Sequence, residues 1–315
     1  GSGTITDGKL DVQHSLVADS DSDESFQISV YSDSERSLQI GTTATFNIEE
    51  DNIIPDGVIR GNSYYKVVDG SNWSSAESNA GSLGGNLFSI NSESESIWLG
   101  NEFSKSKYQY AADNSAWAPS EWGINHYWSG GIKTNETWRW SNGDDFNASL
   151  SALYLNNSND RYSDRLLGIF NNPNHTTNIY LDDSRDDYPN NPGNPYRGIA
   201  EIPLTLEITQ SATPKEGAGT FTTSINLSAG SSTNLANGST VYWQVTGISN
   251  DDLASGDLTG SGTITDGKLD VQHSLVVDSD SGESFQMSVY SDSGRSQQIG
   301  TTASFNIEDV ISIPD

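Results

Sequence analysis

The first fifty residues return almost unchanged near the other end of the chain. Residues 1–50 match residues 260–309 at 43 of 50 positions without a gap. A repeat of this length means that the chain is built from modules, so any fold proposed for one copy has to serve the other. With 315 residues, a single core is not expected, since a domain typically takes about 100–200 residues.

Within each copy apolar and polar residues alternate: Phe26, Ile28 and Val30 around Gln27 and Ser29, then Phe285, Met287 and Val289 around Gln286 and Ser288. Period two in β-branched and aromatic residues, punctuated by Gly, Asp and Ser clusters, predicts half-buried antiparallel strands of a β-sandwich. The second copy is preceded by further strand patterns, Phe221–Leu227 and Val241–Val245. Together these make a module of about 105 residues, the size of a seven-stranded sandwich. The first copy has no such preceding half within the chain. Two readings stay open: the chain is a window on a longer tandem array, or the other strands come from another subunit by strand addition.

Composition changes in the middle. Residues 57–203 hold seven of the eight tryptophans and ten of the fifteen basic residues, for a net charge of −7 out of the total −28. The expected domains are therefore 1–56, the latter half of a sandwich repeat, 57–203, an aromatic domain, and 204–315, a complete repeat. The excess of acid over base repels a phosphate backbone, so no nucleic-acid partner is expected. No run approaches the ~18–20 apolar residues that span a bilayer, so no membrane insertion is expected either. The chain has no cysteine and hence no disulfide framework or thiolate metal site.

The acidic modules resemble the Calx-beta family of sandwiches. The matching residues are Lys215-Glu216-Gly217, Gly256-Asp257, Gly262-Thr263-Ile264, Asp278-Ser279-Asp280 with Glu283-Ser284-Phe285, and the closing Phe305-Asn306-Ile307-Glu308-Asp309. The resemblance implies acidic loops that hold Ca2+ at one end of the sandwich. Carried over, the ligands are Glu216, Asp278, Asp280, Glu283, Glu308 and Asp309. Calcium takes six to eight oxygens, and crowded carboxylates repel one another unless a cation intervenes. A solvated acidic rim is the competing expectation.

In the middle segment, Ser63–Val68 reads as a strand. A helix follows from Trp73, capped by Asn72 or Ser71 and ended by Gly84-Gly85, with a second helix through Ser92–Leu99. Aromatic strand-like runs at Tyr127–Ile132 and Glu136–Asp144 end on Asn142-Gly143, and apolar islands sit at Leu166–Phe170 and Ile179–Leu181. Taken in order, the Trp-x-x-Ala helix, the Gly-Gly-x-Leu exit, the Trp-x-Gly-Gly-Ile run, the Trp-x-Trp-Ser-x-Gly hairpin, the Leu-Leu-Gly-Ile-Phe strand and the closing Gly198–Ile202 resemble the C-type lectin-like domain. The expected fold class is thus mainly β, with β-sandwich modules flanking an α+β C-type lectin-like domain. Trp73, Trp98, Trp128, Trp138 and Trp140 are expected in its core, and Trp117 and Trp122 on a ligand face.

That resemblance implies a calcium that bridges protein oxygens to sugar hydroxyls. The family's Glu-Pro-Asn triplet falls near Asn156-Asn157-Ser158, its next acidic ligand near Asp164, and its Trp-Asn-Asp run near Tyr180-Leu181-Asp182. The proline is absent and leucine stands at one amide position. Expected ligand-binding residues are Asn156, Ser158, Asn159, Asp164 and Asp182, and expected metal ligands in this loop are Asn156, Asp160, Asp164, Asp182 and Asp183.

The four histidines are scattered, and neither a metalloprotease helix, a serine elbow nor a phosphate loop occurs. The expectation is a non-catalytic adhesion or recognition segment on a cell or virion surface, a lectin-like head on calcium-stiffened repeats that binds a glycan or a surface protein. The alternative is a structural subunit of a fibre or virion appendage without sugar binding, self-associating head to tail through the incomplete N-terminal module.

Overall fold

A computed structural model describes residue 6 and residues 25–47, 57–70, 72–105, 125–135, 137–146, 155–156, 165–170, 179–184, 197–279 and 281–310. The chain is mainly β and divides into two compact units, Gly1–Ile53 and Ile54–Asp315.

In the first unit, β1 (Ser25–Tyr31) and β2 (Gln39–Asn47) form an antiparallel hairpin with a bulge between Ile28 and Val30. The Asp33 carboxylate closes its turn. It accepts the backbone N–H groups of Ser37 and Leu38, at 2.9 and 2.6 Å, and these bonds hold its pKa below the ordinary value. Arg36 takes a left-handed φ of 54° in that turn.

The second unit begins with β3 (Gly57–Arg60) and β4 (Ser63–Val68), then α1 (Trp73–Ser82), β5 (Asn86–Leu87) and α2 (Glu93–Phe103). Helix α1 forms because Asn72 and Ser75 cap its start reciprocally. Trp73, Ala76 and Ala80 fall on one turn-spaced face and are buried. Gly198 lets this face lie close, since a Cβ there would meet Ala76 Cβ at 3.1 Å, and it makes room for Leu87 of β5, whose Cδ2 would stand at 2.4 Å. Helix α2 starts at the Ser92 cap, with Glu93 and Glu95 favourably placed in its first turn.

Strands β6 (Asn125–Thr134) and β7 (Thr137–Trp140) form a hairpin, and β8 (Leu155–Asn156), β9 (Arg165–Phe170) and β10 (Ile179–Ser184) extend its sheet in the order β6-β9-β10-β8. Trp73, Trp128 and Trp140 are buried as expected, whereas Trp98 and Trp138 are half-buried, the former covered by the Arg60 guanidinium 5.3 Å from its ring. For Trp117 and Trp122 the expectation lies outside the described residues.

The boundary expected at 203/204 falls inside a single strand. Strand β11 (Arg197–Gln210) pairs antiparallel with β4 through Gly198–Pro203, and then with β12 (Phe221–Ala229) through Leu204–Gln210. A strand needs only uninterrupted backbone pairing, so it crosses a change of composition without a break. Gly230 seals the junction: its N–H donates to the Pro203 carbonyl at 2.9 Å, and a Cβ there would meet the Leu83 carbonyl at 2.1 Å.

Beyond the junction two sheets face each other. One contains β11, β12, β16 (Lys268–Leu275) and β14 (Leu253–Ser255). The other contains β15 (Thr259–Thr263), β13 (Thr240–Thr246), β17 (Ser284–Tyr290) and β18 (Gln298–Asn306). Strand β12 alternates strictly between buried and half-buried positions, the period-two pattern read from its sequence. The sheets meet through Phe221, Phe285 and His273, with Phe221 and Phe285 edge to face at 5.3 Å. Each apolar side chain buried between them contributes roughly 1.5–3 kcal/mol.

Candidate metal centre

The end of the C-terminal module is closed by two parallel bridges outside the main strands, Glu216 to Leu275 and Lys215 to Glu308. Backbone bonds fix the connection: Glu216 N–H donates to the Glu308 carbonyl at 3.2 Å and Gly217 N–H to the Leu275 carbonyl at 3.1 Å. Gly217 turns the chain with φ 62°. The loop after β16 carries Asp278, and the approach to β17 carries Glu283. Three distant stretches thus deliver carboxylates to one place.

One oxygen from each of Glu216, Asp278 and Glu283 lies within 4.8 Å of the other two. Glu216 is 2% exposed. Its Oε2 accepts the Val310 N–H at 3.3 Å, and its Oε1 is buried with no hydrogen-bond partner among the described residues. A buried oxygen left this way costs about 1–3 kcal/mol, more for a charged group. A divalent cation would satisfy it. Two oxygens on opposite sides of a calcium, each ~2.4 Å from the ion, stand about 4.8 Å apart, so the spacing fits one shared ion. The donors are all hard oxygens, the chemistry calcium takes.

Of the six carboxylates expected here, the structure therefore brings together Glu216, Asp278 and Glu283. Asp280 lies outside the described residues. Glu308 stands apart from the triad: its exposed carboxylate faces the Lys215 ammonium at 3.7 Å. Asp309 is also outside the triad, and its Oδ1 is buried with no partner among the described residues. The backbone of Glu308 is held beside Glu216, so it is the direction of its side chain, out to the Lys215 ammonium, that leaves its carboxylate outside the triad.

In the aromatic region, β8 and β10 run parallel and set Asp182 opposite Asn156. Two positions expected to share a ligand thus sit at one register, although only their backbone is described. Asp183 follows in β10. Ser158, Asn159, Asp160 and Asp164 lie outside the described residues.

A second polar cluster was not anticipated from the sequence. The Tyr65 hydroxyl lies 2.7 Å from Glu95 Oε1 and 3.0 Å from Glu201 Oε1. Asn91 N–H donates to Glu95 Oε2 at 2.8 Å, and Ser89 N–H to Glu201 Oε2 at 3.1 Å. Asp144 Oδ2 accepts from Asn91 and Asn142 side chains, each at 2.8 Å. Burial pushes the Glu95 carboxyl up, and burial together with Glu201 and Glu95 pushes the Tyr65 hydroxyl well above its ordinary value. Ser63 Oγ donates to Glu201 Oε1 at 3.0 Å, so with the single Tyr65 proton on Glu95 Oε1 each of these oxygens has a donor, and the cluster reads as an internal support that ties β4, α2 and β11 together. Its only sequence signal was polar residues spaced among buried ones in these three elements.

A scan against protein-family models and a search of curated proteins found no match to the chain.

Proposed function

We propose that the chain is a non-catalytic recognition segment of an extracellular protein, in which a calcium ion stiffens the end of the C-terminal β-sandwich module. The observation that carries this reading is the Glu216 carboxylate, buried with Oε1 lacking a hydrogen-bond partner among the described residues beside Asp278 and Glu283. Glu216, Asp278 and Glu283 would hold the ion. Bound there, it supplies positive charge where three carboxylates converge and links the loops that carry them to the strand-like run at Glu216.

The finer architecture belongs to the same proposal: sandwich repeats of the Calx-beta type at 1–56 and 204–315, flanking a C-type lectin-like head at 57–203. The parallel pairing of Asn156 with Asp182 supports a ligand-facing loop on that head. A glycan or a surface protein is the ligand class it suits, with weak single-site affinity multiplied by copy number.

Thermal melting tests the calcium step. A ligand at a hundred times its Kd stabilises by about 2.7 kcal/mol. For a unit of this size that is roughly 5–10 °C. The native chain gains this increment on going from chelator to millimolar calcium, and Glu216→Gln does not. Equal melting of the native chain in both buffers would remove the calcium reading.

A further inference from the structure

The β1–β2 hairpin is the β17–β18 hairpin in every local respect. Both bulge at the same step, between Ile28 and Val30 and between Met287 and Val289. Both close on an aspartate, Asp33 or Asp292, which accepts the same pair of backbone N–H groups, with Arg36 and Arg295 at φ 54° and 52°. Both carry the same cross-strand hydroxyl pair at 2.6 Å, Ser29 with Thr43 and Ser288 with Thr302. The surroundings differ. Val289 and Ile299 are fully buried, whereas their counterparts Val30 and Ile40 are 46% and 54% exposed, and Leu38 beside them is 62% exposed.

The second copy shows what covers such a hairpin. Strand β13 lies along β17 with Trp243 opposite Val289 and Val245 opposite Met287, and Arg295 Nε donates to the Trp243 carbonyl at 3.1 Å. Among the described residues β1 pairs with β2 alone, and Arg36 is exposed. From this we infer that residues 25–47 form an acceptor for an extended strand of the β13 type, which lies along β1 with its Trp opposite Val30 and its second Val opposite Ile28, and whose carbonyl Arg36 caps. Main-chain bonds would supply the pairing and the alternating apolar residues the register.

The source of that strand follows from counting halves. The chain holds two second halves, 1–50 and 260–309, and one first half, 204–259, whose β13 already serves β17. Exchange between identical copies leaves as many hairpins uncovered as before. The occupant is therefore a further first half of the 204–259 type and not a second copy of 1–315. This inference does not depend on calcium.

The absence of cysteine makes the test direct. Val30→Cys, and separately Ile40→Cys, places a single thiol on the exposed face of the full chain. Labelling by a water-soluble maleimide is compared in 1–315 and in a chain with residues 204–259 copied directly ahead of Gly1, with Val289→Cys as the covered reference. The expected result is rapid labelling of both reporters in 1–315 and a slowing of roughly tenfold or more in the extended chain, towards the Val289→Cys rate. Unchanged rates in the extended chain would overturn the inference. So would protection in 1–315 itself, whether constant or rising with protein concentration, the latter pointing to a second copy.

Discussion

His273 gives the sharpest handle on the packing of the C-terminal module. Its ring is fully buried between Phe221 and Phe285, with centroids 6.0 and 5.1 Å away. Nε2 sits 2.8 Å from the Asp257 carbonyl, and Nδ1 is buried with no partner among the described residues. A protonated ring would have to bury an N–H at Nδ1 without an acceptor. Burial accordingly pushes the folded pKa below the ordinary 6.5. The unfolded chain then binds the proton more readily than the folded one. The ring's contribution to stability is complete well above pH 6.5, falls as pH drops through that value, and goes on falling until the folded ring itself protonates. The slope in that window reaches about 1.4 kcal/mol per pH unit. For a unit of this size that is roughly 3–6 °C of melting temperature per unit. The carboxylates titrate on the same acid side, so the comparison is with His273→Gln, which keeps a donor for the Asp257 carbonyl and has no proton to gain. Between pH 7.5 and 5.5 the native chain loses more melting temperature than the variant by several degrees. Parallel losses would refute the assignment of a neutral, buried imidazole.

Other expectations follow from single groups. Tyr65→Phe removes the hydroxyl between Glu95 and Glu201 and leaves two carboxylate oxygens facing each other, so chemical denaturation should show a loss of about 1.5–3 kcal/mol. Alanine at two glycines should act in opposite directions: Gly230→Ala, at φ 56° and against the Leu83 carbonyl, destabilises by about 1–3 kcal/mol, whereas Gly81→Ala, in α1 with open space around it, stabilises by up to about 1 kcal/mol. Equal effects of the two substitutions in a melting experiment would contradict the junction at Gly230.

What could be read in advance was whatever depends on neighbours in sequence. Period two announced β12 and β13, the Asn72 cap and the spacing of Trp73, Ala76 and Ala80 announced α1, and the repeat announced that β1–β2 and β17–β18 would be alike. The carboxylate triad was legible only as part of a longer set of candidates. Glu216 lies some sixty residues before Asp278, and what joins them is a bridge from Glu216 to Leu275 that no local pattern encodes. Glu308 is bonded through its backbone to Glu216, yet its side chain turns to Lys215 and stays outside the triad, although all these carboxylates look equivalent in a list of acidic residues. Tyr65, Glu95 and Glu201 come from three elements whose meeting depends on how α2 packs against the sheet. Trp98 shows the converse: an apolar helix position that packs on Tyr65 and Phe103 yet ends half-buried, with the Arg60 guanidinium over its ring.

Calorimetric titration of calcium into the chelator-treated chain tests the central claim most directly, with Glu216→Gln and Glu308→Gln as the paired variants. The account predicts a binding event that Glu216→Gln abolishes and Glu308→Gln leaves in place, because Glu216 belongs to the triad and Glu308 faces Lys215. No heat of binding in the native chain, or equal loss in both variants as from a diffuse acidic rim, would contradict it.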